Sequence, residues 1–409
     1  MSQRQLKTGY FVLEGLNSFS TVFYLYYLYF FMRTAFGFDN EADLALAAFN
    51  GFICMAGSFW AGQFAQRSGC FTSVKLGLAI SILALLVGTQ IDSAGGQIAV
   101  MAFTVLGVCF TWPALEALVS DGEPPDSLPR MIGIYNVVWA ATAALANFTG
   151  GAMLDKLGLK SLFWVPIAIQ IVQLGLTILL QRKSREFDLE RSLSGKLVAG
   201  SPRAQITAES HGLAISTEMS SRNQDEPRKF LRMAWLANPF AYIAINTLVA
   251  VIPGIAGKFG LSTMAAGFCC SIWCFARLGA FWWLWHWRGW HYRFRWLLAA
   301  YLAFVFTFAT LVLAPNLAVL VLAQIIFGVA VGLIYYSSLF YSMDRTENRA
   351  QQGGIHEAAI GLGNFAGPAV GAASLHFLPQ HANSAVVAVS TLLILGLGGL
   401  VSVWSKSKA

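Results

Sequence analysis

Few side chains in the apolar stretches of this chain can ionise, and those few mark where chemistry would be done. A charge held in hydrocarbon is costly and rarely idle. Arg277 lies deepest in its stretch, about eleven residues or roughly 16 Å at helical rise from Arg288 at the inner end. A guanidinium keeps its proton in any protein environment. Arg277 therefore calls for a carboxylate, a group of carbonyls or an anionic substrate, unless it only bridges neighbouring helices. Near the amino terminus Glu14, Asn17, Ser18 and Thr21 share one helical face, with Tyr24 at its edge. Such a stripe cannot face lipid, so it lines a cavity or bonds an adjacent helix. Glu14 there could take up and release a proton. His356 and Glu357 open another apolar stretch, and Asn364 shares the face of Glu357. They read either as a proton relay or as a latch bonded to Arg130, Arg349 or the opposite half. Glu116, one turn from the end of its stretch, reads as a latch.

Aromatic side chains recur beside these groups: Tyr24, Trp112, Tyr135, Trp139, Tyr242, Trp273, Tyr335 and Tyr336. They suit stacking on a sugar, a nucleobase or an organic cation, or belong to belts at the membrane interface. The candidates for substrate binding are thus Asn17, Thr21, Tyr24, Asn238, Tyr242, Arg277, Tyr335 and Asn364. Those for proton coupling are Glu14, His356 and Glu357. Cys54, Cys109, Cys269, Cys270 and Cys274 fall inside apolar stretches and Cys70 in a loop, which suits small buried hydrophobes better than a disulfide or metal framework.

The elements that must position these residues are membrane spans. The chain is 56% hydrophobic and 11% charged, more apolar than one soluble core of 409 residues could bury. Twelve apolar stretches are expected as helices, at 9–32, 43–64, 74–92, 97–119, 131–153, 161–181, 233–255, 263–286, 295–313, 317–341, 354–377 and 384–404. Each is near the roughly 20 residues that cross a bilayer. The first is too long and too aromatic for a cleavable signal and reads as a retained span. Residues 182–232, rich in Ser, Arg, Glu and Gln, divide the stretches six and six. The expected organisation is an amino-terminal bundle over 1–181, a flexible linker over 182–232 and a carboxyl-terminal bundle over 233–409.

Lysine and arginine placement orients the chain. With the amino terminus inside, the outward segments hold only Arg33, Lys156, Lys160 and Lys258, and nearly all other basic residues fall inside. Both termini and the linker are then cytoplasmic. The same bias accounts for the net charge of +7 without nucleic acid.

The halves also repeat. Gly133-Ile134 matches Gly354-Ile355, and at the same displacement Asn17 matches Asn238, Phe19 matches Phe240 and Gly150 matches Gly371. One shared displacement points to duplicated halves, as in parallel-repeat transporters. The loop after the second span reads GQFAQRSGC. It resembles the Gly-x-Leu-x-Asp-Arg-x-Gly-Arg signature of the major facilitator superfamily, with Gly62, Arg67 and Gly69 in place, Gln66 where the aspartate belongs and Cys70 in place of the last basic residue. The stretch from Gly150, GGAMLDKLGLKSLFW, is similar to the family's turn after the fifth span. The resemblance covers essentially the whole chain and implies an all-α polytopic protein of 12 transmembrane helices in two six-helix bundles, which transports by alternating access. In that family the loop aspartate helps to hold the inner gate. Gly62, Gln66, Arg67, Gly69, Glu116, Asp121 and Arg130 are therefore the gating candidates, with Gln66 unable to supply the charge. A second stretch, GNFAGPAVGA from Gly363, resembles the Gly-Pro motif of drug–proton antiporters, but lies in the eleventh span rather than the fifth. Small residues there also permit close helix contact.

The expectation is a proton-coupled secondary transporter of a small polar metabolite in the plasma (inner) membrane. Its partners would be that substrate, protons and lipid, with no cofactor, nucleic acid or obligate protein partner. An exporter of amphipathic drugs is the alternative within transport. No P-loop appears, which argues against ATP-driven transport. A membrane-embedded enzyme would need a cluster around His356-Glu357 or the His286 and His291 loop, and no H-E-x-x-H spacing occurs. A sensor without transport is the remaining alternative, although the linker has no effector-like segment.

Overall fold

The computed structural model describes residues 3–121, 123, 128–199, 225–343 and 349–406, which are α-helical apart from short turns, with no strand among them. The first six helices are α1 (Gln3–Phe36), α2 (Asn40–Ser68), α3 (Cys70–Gly88), α4 (Ala94–Ser120), α5 (Leu128–Leu157) and α6 (Ser161–Ala199). They are followed by α7 (Asp225–Lys258), α8 (Thr263–Cys270), α9 (Ile272–His286), α10 (Phe294–Leu313), α11 (Leu317–Met343), α12 (Arg349–Phe377) and α13 (Ser384–Lys406). Among the described residues, eleven segments are long and apolar enough to cross a membrane, with α8 and α9 together forming one of them. The remaining long helix, α1, has 34 residues and is less apolar because the stripe from Glu14 to Thr21 is polar and buried. Polar caps start several helices: the side chains of Asp39, Ser93 and Ser262 accept from Ala42 N, Gly96 N and Ala265 N. Gly69, at φ +88, turns the chain between α2 and α3 where a side chain would be strained.

Two boundaries differ from expectation. Helix takes up both edges of the expected linker, since α6 runs on to Ala199 and α7 starts at Asp225. The exposed Lys183–Glu186 pair, 3.0 Å apart and one turn along, is of the kind that supports such an extension. Residues 200–224 lie outside the described residues. The eighth span, expected to be continuous, is broken at Ser271. Gln324 of α11 takes over the backbone bonding there, with its Nε2 donating to Cys269 O (2.8 Å) and its Oε1 accepting from Trp273 N (3.4 Å). A break inside a membrane is tolerated only when freed backbone groups find such partners.

Helices α1–α6 pack on one another, as do α7–α13, and the two groups meet along two seams. The first joins α2 to α12 through glycines. A Cβ on Gly354 would stand 2.9 Å from both Gly62 Cα and Ser58 O, and Gly51 and Gly361 abut the backbones of Asn364–Phe365 and Met55. The second joins α5 to α8 and α9. There Gly151 meets the backbone of Thr263, Phe148 lies 4.6 Å from Phe268 between ring centroids, and Asp155 Oδ2 accepts from Met264 N at 2.9 Å. Without water to exclude, contact between helices in a membrane depends on such close approach. Gly363 and Gly367 of the Gly-Pro stretch do the same against Pro239, Tyr242 and Ile243 of α7.

Candidate functional site

Between the halves lies a cavity of about 130 Å³. Its wall takes Ser18, Thr21 and Tyr26 from α1, Asn50 and Cys54 from α2, Trp112 from α4 and Trp139 from α5. The other half contributes Tyr242 and Asn246 from α7, Trp273 and Arg277 from α9, Tyr335 from α11, and Glu357 and Asn364 from α12. The wall is largely apolar, aromatic and aliphatic side chains together, and its polar groups sit at one or two positions per helix, as in sites that orient a small ligand.

Arg277 is the one buried arginine among the described residues, 5% exposed. Its guanidinium carbon lies 4.3 Å from the Trp139 ring centroid and 4.8 Å from that of Trp273. The two indoles come from opposite halves and hold the cation by their negative faces. Among the described residues no carboxylate forms an ion pair with it, and its Nε is buried without a hydrogen-bond partner. Tyr335 packs 5.2 Å from Trp139 and 6.1 Å from Tyr242, while Asn246 Nδ2 donates to Asn364 Oδ1.

A second group lies toward the end of the molecule where α4 finishes and α12 begins. The ligand-type atoms of Glu116, His356 and Glu357 all fall within 4.8 Å of one another. The three residues are 3%, 3% and 6% exposed. Both carboxylate oxygens of Glu116 and Nε2 of His356 are buried without a hydrogen-bond partner. Glu14 is fully buried, its Oε1 accepting from Trp112 Nε1 at 3.3 Å and its Oε2 unpartnered. At the same end Lys7 Nζ donates to Leu118 O (3.3 Å), Val119 O (2.7 Å) and Asp121 O (2.5 Å), closing the carboxyl terminus of α4 with a cation.

The structure brings only part of the expected site together. Thr21, Tyr242, Arg277, Tyr335, Asn364 and Glu357 face the cavity. Asn17, Tyr24 and Asn238 do not: Asn17 Oδ1 accepts from Gln173 Nε2 of α6 (3.4 Å), Tyr24 packs 6.4 Å from Phe163, and Asn238 is buried outside the cavity wall. Polarity turned these side chains inward without deciding between cavity and neighbouring helix. Glu14 and His356 likewise stand behind the wall rather than in it. Of the gating candidates, Gly62 is buried in the α2–α12 seam and Glu116 meets α12, whereas Gln66, Arg67, Gly69, Asp121 and Arg130 are exposed. Arg130 makes no ion pair with Glu357 among the described residues, and the side chain of Arg349 lies outside them. Asn50, Cys54 and Asn246 line the cavity unanticipated. Asn246 had a signal, one helical turn beyond Tyr242 on the same face.

A sequence profile described as Major Facilitator Superfamily matches residues 10–368. No curated protein matches the chain significantly. Among solved structures, the human organic anion transporter MFSD10 (TETRAN) is similar at TM-score 0.64 and 15% identity, covering 98% of this chain and 100% of that one. A POT family transporter in complex with 5-aminolevulinic acid gives TM-score 0.68 and 14% identity, with 98% and 96% covered. The nucleoside transporter NupG (D323A mutant) gives 0.62 and 14%, with 97% and 98% covered.

Proposed function

Because the chain belongs to the Major Facilitator Superfamily and is an integral membrane transporter of that fold, we propose that its cargo is a small polar organic molecule carrying a negative charge. The observation that carries this reading is Arg277: a permanent cation in the cavity wall, held on two indole faces and paired with no acid among the described residues. A buried charge left unpaired is expensive, so an anionic group arriving in the cavity has a partner waiting. Trp112, Trp139 and Trp273 offer flat apolar faces beside it, which favours a planar or partly apolar body on the anion. The fold neighbours support the architecture, and at 13–15% identity their cargoes carry no weight here.

Transport proceeds by alternating access, with the halves rocking about the cavity. Proton coupling runs through Glu14, a fully buried carboxyl one hydrogen bond away from the cavity residue Trp112. We take the chain to be a carrier rather than an enzyme, in the plasma (inner) membrane with both termini cytoplasmic. Uptake into proteoliposomes tests the reading, comparing carboxylic acids with their neutral amides under an imposed pH gradient. Acids should be accumulated in preference to amides, and the preference should follow the gradient. Equal uptake of both, or indifference to the gradient, would remove the anionic or the proton part respectively.

A further inference from the structure

We propose that Glu116, His356 and Glu357 form a binding site for a divalent transition-metal ion that clamps the two halves together. The donors are two carboxylates and one imidazole, a borderline set that suits Zn²⁺, Co²⁺, Mn²⁺ or Fe²⁺ better than the oxygen-seeking Mg²⁺ and Ca²⁺. Their ligand atoms already lie within 4.8 Å of one another. Bonds of about 2.0–2.2 Å to a common ion need these atoms some 3–4 Å apart, a contraction that side-chain rotation supplies.

Three further observations converge on this cluster. Both oxygens of Glu116 and Nε2 of His356 are buried and bonded to nothing, so the atoms that would bind a metal are the ones left unsatisfied. Buried polar atoms normally find partners. No lysine or arginine, Arg277 included, pairs with either carboxylate among the described residues. A divalent cation neutralises the two carboxylates. Finally, Glu357 also faces the cavity, so the cluster adjoins open space as well as packed helix.

Glu116 belongs to α4 and the other two ligands to α12, so the full donor set exists only while these helices are together. An ion that binds one conformer shifts the population toward it. In this assignment His356 and Glu357, expected from the sequence as proton carriers, act as metal ligands. Metal binding is a property of the cluster whatever the cargo.

The test uses the purified full-length protein titrated with Co²⁺ and Zn²⁺. Calorimetry gives affinity and stoichiometry, and visible Co²⁺ absorption reports the ligand field. One saturable site is expected, and Glu116→Gln and His356→Gln should each weaken it by at least about 100-fold. Zn²⁺ should raise the thermal unfolding midpoint of the parent protein and not of His356→Gln. Should a glutamine variant fail to fold, Glu116→Asp and His356→Asn give a graded loss at the same position. Absence of saturable binding up to millimolar ion, or binding unchanged in these variants, would overturn the site. Binding is measured without transport, so failure of the anionic-cargo reading leaves this result standing, and the converse also holds.

Discussion

Replacing Arg277 should erase the discrimination between an acid and its neutral analogue. A hydrogen bond to a charged group is worth about 1.5–3 kcal/mol. At about 1.4 kcal/mol per factor of ten, Arg277→Gln should weaken a carboxylate ligand roughly 10- to 150-fold while leaving the amide nearly unchanged. Arg277→Lys keeps the charge but loses the planar fork and its seat between Trp139 and Trp273, at 4.3 and 4.8 Å. Its affinity should fall between the other two. Folding is affected less than binding. The variant gives up two cation–π contacts, each worth about 0.5–2 kcal/mol, and is also relieved of a buried unpaired charge. The assay is calorimetric titration of parent, Arg277→Gln and Arg277→Lys with matched acid and amide pairs, alongside thermal unfolding. If Arg277→Gln, folded, still prefers acids by the parental factor, the guanidinium is only a structural bridge between helices and the anionic-cargo argument fails.

Three other outcomes are expected. Glu14→Gln should abolish accumulation driven by a pH gradient while preserving exchange of cargo at equal pH, measured by counterflow in proteoliposomes; unchanged accumulation would take Glu14 out of coupling. Gly354→Val would put a Cβ 2.9 Å from Gly62 Cα and Ser58 O, and side-chain bulk beyond it, so the α2–α12 seam must part. Cross-linking between cysteines placed on α2 and α12 should fall while each half remains folded, and undiminished cross-linking would contradict the close approach. Gln324→Leu removes both hydrogen bonds that serve the break at Ser271. It should lower stability by about 1–3 kcal/mol, read from thermal unfolding.

Span positions were legible in the sequence because a bilayer demands a run of fixed length and polarity. α10 and α13 begin within a residue of expectation, at Phe294 and Ser384. The break in the eighth span was not legible. Its neighbours Cys269, Cys270 and Ile272 are as apolar as any helix interior, and the rescuing Gln324 lies 51 residues beyond Trp273. Individual site residues could be read wherever a polar or ionisable group interrupts an apolar run, which is how Arg277, Asn364 and Glu357 stood out. Their assembly could not. A helical face shows that Asn17 and Thr21 point inward, yet Thr21 reaches the cavity and Asn17 reaches Gln173. Glu116 and His356–Glu357 each looked like a latch by position near a span end. That their ligand-type atoms come within 4.8 Å of one another follows only from how the halves dock.

The two charged centres of the interior differ in what they demand. Arg277 rests on the π faces of two indoles, which support a cation without an acid beside it. Glu116 and Glu357 have no such support and stand within 4.8 Å of each other at the seam between α4 and α12. If both are ionised and bare, their repulsion at an effective dielectric of about 20 is about 3.5 kcal/mol. That corresponds to a bias of several hundredfold against keeping the two helices together. A divalent ion between the carboxylates turns the same geometry from repulsive to attractive. The α2–α12 seam nearby is built from glycine contacts and offers shape without charge. Gln66, in the last turn of α2, supplies none either. Under the proposed metal site, Glu116, His356 and Glu357 are, among the described residues, the charged groups that would hold α4 to α12. On that proposal, ion occupancy of the cluster shifts the balance between α4 and α12 joined and apart.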